Sequence, residues 1–139
     1  MNRMYKLEIE TRISELIRVF KFLSDICIEN KFSSDVEFDL NLIFEEFLLN
    51  LINYGYKGID SEKICIEIEV YQDLIKIRIT DTAVSFDIRE TGDFDSSLPL
   101  DKRRVGGIGI HLIKSAVDKI DYESISGKNI TTFHRTLNI

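Results

Sequence analysis

A chain of 139 residues has the length of one domain, enough for a single large core and too little for two. Its 44% hydrophobic and 30% charged residues, with one proline, exclude a disordered or fibrous class. The net charge of −6 leaves no extended basic face for neutralising phosphates, so no direct nucleic-acid binding is expected, although a local basic cluster can hold one small anion. The start, MNRMYKLEIE, has charges where a secretory signal needs an apolar run, and no segment is apolar over a bilayer's thickness. A cytoplasmic protein without membrane contact is expected. Cys27 and Cys65 sit among apolar residues, far in sequence from His111 and His134, and read as reduced core thiols.

In chain order, Met4 to Glu10 reads as a strand. From Thr11 to Asn30 the apolar residues Ile13, Leu16, Ile17, Phe20, Leu23 and Cys27 recur at helical spacing. Ser34 followed by Glu37 is a capping-box pattern, which predicts a second helix from Ser34 to about Tyr54, with Gly55 as its stop. Lys63 to Val70 and Leu74 to Thr80 alternate strictly, Ile64, Ile66, Ile68 and Val70 against charged residues and Ile75, Ile77 and Ile79 likewise, as two half-buried antiparallel strands do. From Thr82 to Val105 periodicity is lost over a length unusual for a plain connection and typical of lids or binding loops. A helical pattern resumes from Gly106 to Ile120, and Tyr122 to Ser126 with Asn129 to Asn138 reads as a hairpin turning at Gly127-Lys128. This order predicts one domain over 1–139 of the α+β class, a two-layer sandwich of a mixed, mainly antiparallel sheet with helices on one face.

The second helix is oily, yet it carries polar residues at helical spacing. Glu46 and Asn50 are four apart and share a face, which Asp39 and Asn53 extend. Such a stripe is either a solvated helix edge or a site in which Asn50 offers an oxygen to magnesium and Glu46 takes a proton from an attacking hydroxyl. Gly106-Gly107-Ile108-Gly109 opens the third helix directly after Lys102-Arg103-Arg104. Free amides, a helix dipole and close approach at glycine suit phosphate there, although glycines also serve tight turns. Asp81 ends a strand, where a carboxylate either forms a turn or accepts from an exocyclic amine. His111 reads as a packing or surface residue, and no serine, histidine and carboxylate set has spacing that points to a hydrolase triad.

Taken together, EEFLLNLINYGY, ITDTAVSFD, RRVGGIGIHLIKSAVDKIDY and GKNITTFHRTL resemble the histidine-kinase-like (GHKL) ATPases, the family that includes gyrase, and most closely its small anti-sigma-factor serine kinases of the RsbW type. The resemblance spans essentially the whole chain and implies the Bergerat ATP-binding fold with ATP and Mg2+. It makes Glu46 the general base and Asn50 the magnesium ligand, with Asn53 nearby. Asp81 would bind the adenine amino group, supported through water by Thr132. Gly106, Gly107, Ile108 and Gly109 would approach the phosphates with Arg103 and Arg104 beside them, and residues 88–105 would form the ATP lid.

The family's first glycine box reads Asp-x-Gly, whereas here Ala83 takes the third place; if that position needed a positive φ, alanine would cost about 1 kcal/mol. On the last strand, Thr132 can face the nucleotide only if Ile130, Thr132 and His134 point inward and Phe133 and Leu137 lie on the far face, where they would suit a homodimer. The expected function is that of an ATP-dependent serine protein kinase in a partner switch. It would hold a sigma factor or comparable regulator and phosphorylate an anti-anti-sigma (STAS-type) protein. The alternative, favoured by Ala83, is a non-catalytic nucleotide-sensing binding module.

Overall fold

The computed structural model describes residues 2–83, 89 and 107–137. Strand β1 (Arg3–Glu10) leads through a short 3-10 turn (Ile13–Glu15) into helix α1 (Leu16–Asn30), followed by α2 (Ser34–Asn50) and a π-helical turn (Leu51–Gly55). Strands β2 (Lys63–Val70) and β3 (Leu74–Asp81) come next, then α3 (Gly107–Ala116), β4 (Lys119–Ile125) and β5 (Lys128–Thr136). The strands form one sheet in the order β1-β2-β3-β5-β4. Each neighbouring pair is antiparallel, so the sheet, expected to be mainly antiparallel, is antiparallel throughout its described residues. None of the described helices is long and apolar enough to cross a membrane.

The alternation of isoleucine with charge builds the two layers. Ile64, Ile66 and Ile68 of β2 and Ile75, Ile77 and Ile79 of β3 are fully buried on one face, each contributing about 1.5–3 kcal/mol through the apolar surface removed from water. Leu40, Ile43, Phe44, Phe47 and Leu48 of α2 and Val19, Leu23 and Ile26 of α1 supply the other half of this core. Phe133 of β5 meets Phe47 edge to face, with ring centroids 5.3 Å apart. Arg135, on the same face of β5, places Nε and Nη2 3.0 and 2.9 Å from Asp39 Oδ2 and so ties the strand to α2.

That register corrects the expected facing of the last strand. Asn129, Thr131, Phe133 and Arg135 pair with the inward residues Asp81, Ile79, Ile77 and Ile75, so they face the helices. Thr132 pairs with Arg78 on the opposite face. The cause is Phe133: burying a large ring against Phe47 outweighs burying Thr132 and fixes the whole period-two pattern. The outer face is polar, with Lys6, Glu67, Arg78, Thr132 and Asp121 in one cross-strand row. Phe133 is not part of it, and Leu137 packs against the core.

Helix ends also differ from the sequence expectation. The cap of α2 is Ser33, not Ser34: Ser33 Oγ accepts from Val36 N at 3.3 Å, so Glu37 stands one place too late to close a capping box. Ser33→Ala is expected to lower stability by about 1 kcal/mol, and Ser34→Ala to leave the urea midpoint nearly unchanged. Helix α3 ends at Ala116 and not at Ile120. Asp118 N donates to His134 O at 2.8 Å, and Asp118 Oδ2 accepts from Thr136 N at 2.7 Å. This clamp starts β4 at Lys119, because the partner strand satisfies more backbone groups than one further helical turn. The hairpin turns at Ser126 and Gly127, both with positive φ (53° and 78°), which leaves Lys128 paired with Ile125.

Candidate nucleotide site

The polar stripe of α2 is divided by its partners. Asp39 is taken by Arg135, and Asn53 is exposed on the π-helical turn. Glu46 and Asn50 remain half-buried on one side of the helix, while Glu45 is exposed. Burial, with the neighbouring Glu45 charge adding to it, raises the pKa of Glu46 above the ordinary glutamate range. Asn50 Nδ2 donates to Glu46 O at 2.8 Å, which commits its nitrogen to the helix. Its Oδ1 therefore presents as an acceptor, with no described residue donating to it. A lone amide oxygen suits Mg2+, which usually keeps several waters and substrate phosphates as its other ligands. Among the described residues no group of three or more His, Cys, Asp or Glu gathers as a metal site.

Helix α3 packs alongside this face. A Cβ at Gly109 would fall well inside contact distance of Glu46 Oε2 and 3.1 Å from its Cδ. Glycine there is what lets the third helix lie directly against the carboxylate. Gly107 and Ile108 form the first turn of α3, whereas Gly106, Arg103, Arg104 and nearly all of the expected lid lie outside the described residues. Arg89, the described residue of that segment, has its guanidinium carbon 6.0 Å from the Tyr122 ring centroid.

Asp81 stands at the end of β3 and is 3% exposed. Its Oδ1 accepts from Ala83 N at 3.0 Å and from Asn129 Nδ2 at 2.9 Å, whereas no described residue donates to its Oδ2. Burial pushes its pKa up, and the two N–H donors partly offset that. A nearly buried carboxylate with one oxygen saturated and the other lacking a donor can take a hydrogen from a bound ligand, which fits an exocyclic amine. Thr132 faces away from it, and Thr131, 1% exposed beside Ile79, occupies the inward position.

Ala83 is accommodated without strain. Among the described residues those other than glycine with positive φ are Lys31, Lys57 and Ser126, so the penalty foreseen for alanine does not arise at Ala83. Its methyl has room because the π-helical turn sets Gly55 opposite: a Cβ on Gly55 would lie 3.1 Å from Ala83 Cβ and 3.1 Å from Leu51 Cδ1. The turn is closed by Tyr56 N donating to Leu51 O at 2.9 Å, five residues back. Tyr56 is buried, and its hydroxyl accepts from Thr82 N at 2.8 Å, which pins the Asp81–Ala83 corner to the end of the asparagine-bearing helix. Sequence reasoning assigned no such role to Tyr56, Asn129 or Tyr122. Their signal was weak, because aromatic hydroxyls and a hairpin asparagine are common and the contacts join segments far apart in the chain.

Comparison with known proteins gives the chain its family. Residues 9–135 match the histidine kinase-like ATPase domain family. Similar curated proteins include the serine-protein kinase RsbW of Listeria monocytogenes serotype 4a, 29% identical over 70% of this chain, and that of Oceanobacillus iheyensis, 33% identical over the same share. Each match spans 65% of the relative's own length. Among solved structures, the RsbU and RsbW domains of a Mycobacterium tuberculosis protein superpose with a TM-score of 0.66 at 14% identity, covering 96% of this chain and 32% of that one. The Acinetobacter baumannii histidine kinase AdeS gives 0.54 at 16% identity, covering 99% and 70% respectively. With the match running from β1 into β5, the chain belongs to the histidine kinase-like ATPase domain family.

Proposed function

We propose that the chain is an ATP-dependent protein serine kinase in a partner switch, phosphorylating an anti-anti-sigma (STAS-type) protein and holding a sigma factor or comparable regulator. The observation that carries the reading is a set of acceptors with open positions: Glu46 and Asn50 on one side of α2, and Asp81 Oδ2 at the end of β3, in a corner that Tyr56 ties to the end of that helix. Similarity to proteins named serine-protein kinase RsbW supports the choice of serine as acceptor.

Asp81 would anchor the purine ring, and Tyr56 holds the corner on which it stands. Asn50 Oδ1 would hold Mg2+, which when bound supplies charge neutralisation on the phosphates. Glu46 accepts the serine proton as the hydroxyl oxygen attacks the γ-phosphorus and the bond from phosphorus to the bridging oxygen breaks, leaving ADP. Amides at the start of α3 and, from the segment before it, Gly106, Arg103 and Arg104 are proposed to face the phosphates. A homodimer, if formed, would use a surface other than Phe133 and Leu137, since both pack inward. The backbone strain that would favour the sensor alternative is absent at Ala83, which does not have a positive φ.

The test is incubation with labelled ATP, Mg2+ and STAS-type proteins from the same genome. Phosphoserine on one of them is expected with the wild type. Asp81→Asn, which turns an acceptor into a donor facing Asn129 and the purine amine, is expected to weaken ATP binding about tenfold to a hundredfold and to abolish labelling at low ATP. ATP binding with no transfer to any such protein would rule the kinase reading out in favour of a sensor.

A further inference from the structure

We propose that Tyr122 and Asn129 are positioning residues that fix Asp81 as a pure hydrogen-bond acceptor, so that the pocket selects a purine with an exocyclic amine over one with a keto oxygen. This rests on the nucleotide-binding reading above and goes beyond it by naming two residues to which the family resemblance gave no role.

The chain of bonds has only one consistent direction. The side-chain amide of Asn129 lies against Ala83 O at 3.0 Å and Asp81 Oδ1 at 2.9 Å. A backbone carbonyl can only accept, so the NH2 end of the amide must face this pair. Asn129 Oδ1 then faces Tyr122, whose hydroxyl donates to it at 2.6 Å. Ala83 N adds a second N–H to Asp81 Oδ1 at 3.0 Å. With two donors on Oδ1, any proton bound by Asp81 would have to sit on Oδ2, and an Oδ2–H would donate to a keto oxygen instead of accepting from an amine. Burial raises the pKa of Asp81, and the two N–H bonds to Oδ1 oppose that shift and so favour the ionised carboxylate, with Oδ2 in its accepting state. Asn129 is 3% exposed and paired at each end, so it has no freedom to turn its amide over.

The placement explains why a hairpin residue takes part. Register sets Asn129 directly opposite Asp81 across β3 and β5, facing the helices. The tight turn at Ser126 and Gly127 brings β4 back so that Tyr122 reaches the same asparagine. Among the described residues the groups that shift Asp81 are Asn129 and the Ala83 amide, with the buried Tyr56 hydroxyl close by.

The experiment compares calorimetric affinities for ATP and ITP, which differ in carrying an amine or a keto oxygen at the purine 6-position, with Mg2+ present. Wild type is expected to prefer ATP by about tenfold or more, as a site built around one hydrogen-bonding pattern rejects the analogue lacking it. Asn129→Asp sets an oxygen against Asp81 Oδ1 and Ala83 O, forces a shared proton, and is expected to reduce the ATP:ITP ratio about tenfold. Tyr122→Phe keeps the ring but frees Asn129 Oδ1, and is expected to reduce the ratio about threefold. A purely structural role would weaken both nucleotides alike and leave the ratio unchanged. That outcome in Tyr122→Phe, whose fold is checked by circular dichroism, overturns the proposal even if Asn129→Asp does not fold. Wild type that binds neither nucleotide overturns this proposal and the nucleotide reading together, whereas wild type that prefers ATP, with variants that keep the preference, overturns this one alone.

Discussion

Replacing Glu46 by Gln is expected to slow phosphoryl transfer about 10²–10⁴-fold while ATP affinity changes little, because the proposed role of the residue is toward the attacking hydroxyl and not the purine. Glutamine keeps the length and the hydrogen-bonding capacity of the side chain but cannot take a proton. The pH profile gives a second handle. Burial, and secondarily the Glu45 carboxylate, raise the Glu46 pKa. A general base works only when ionised, so the wild-type rate should climb as pH rises through a midpoint above the ordinary glutamate range and then level off. Glu45→Gln removes the smaller cause and should move that midpoint down without lowering the plateau. Single-turnover rates from pH 4 to 8 on the phosphorylated partner would check both, and a Glu46→Gln enzyme with wild-type turnover would remove Glu46 from the chemistry.

The residues that could be read from the sequence are those whose neighbours are local. Alternating isoleucines in β2 and β3 declared both strands and the buried face, because period two needs no knowledge of the partner. Glu46 and Asn50 declared a shared face because four residues make about one helical turn. Position 132 was assigned to the wrong face because ITTF has two equivalent threonines, and only the distant Phe47 decides which alternate set is buried. Asp39 looked like part of the site for a related reason: its partner, Arg135, lies 96 positions along the chain and leaves no trace in local spacing. Ala83 carries the same lesson in reverse. It looked like a defect against a motif, and Gly55 across the corner had already made room for it. The π-helical turn that places Gly55 there has no sequence signature beyond the glycine itself, since it shows only in backbone pairing such as that of Tyr56 N with Leu51 O.

Gly109 separates folding from chemistry more cleanly than any other position. The group a new methyl would strike is the tip of Glu46, with Oε2 nearest, then Cδ at 3.1 Å and Cβ at 3.4 Å, and no backbone atom among the three. A flexible carboxylate can swing aside, so the fold need not move, and alanine inside a helix is favoured over glycine by about 1 kcal/mol. Gly109→Ala is therefore expected to melt at or slightly above the wild-type temperature. Its transfer rate should nevertheless fall about 100-fold, the scale associated with misplacing a reacting group by about 1 Å. Because the loss acts through Glu46, combining it with Glu46→Gln should add almost nothing to the Glu46→Gln defect, whereas independent effects would multiply. Measuring melting temperature, ATP affinity and single-turnover rate on the two single variants and the double variant tests this directly. If the double variant showed the product of the two losses, Gly109 would act on the phosphates and not on the base.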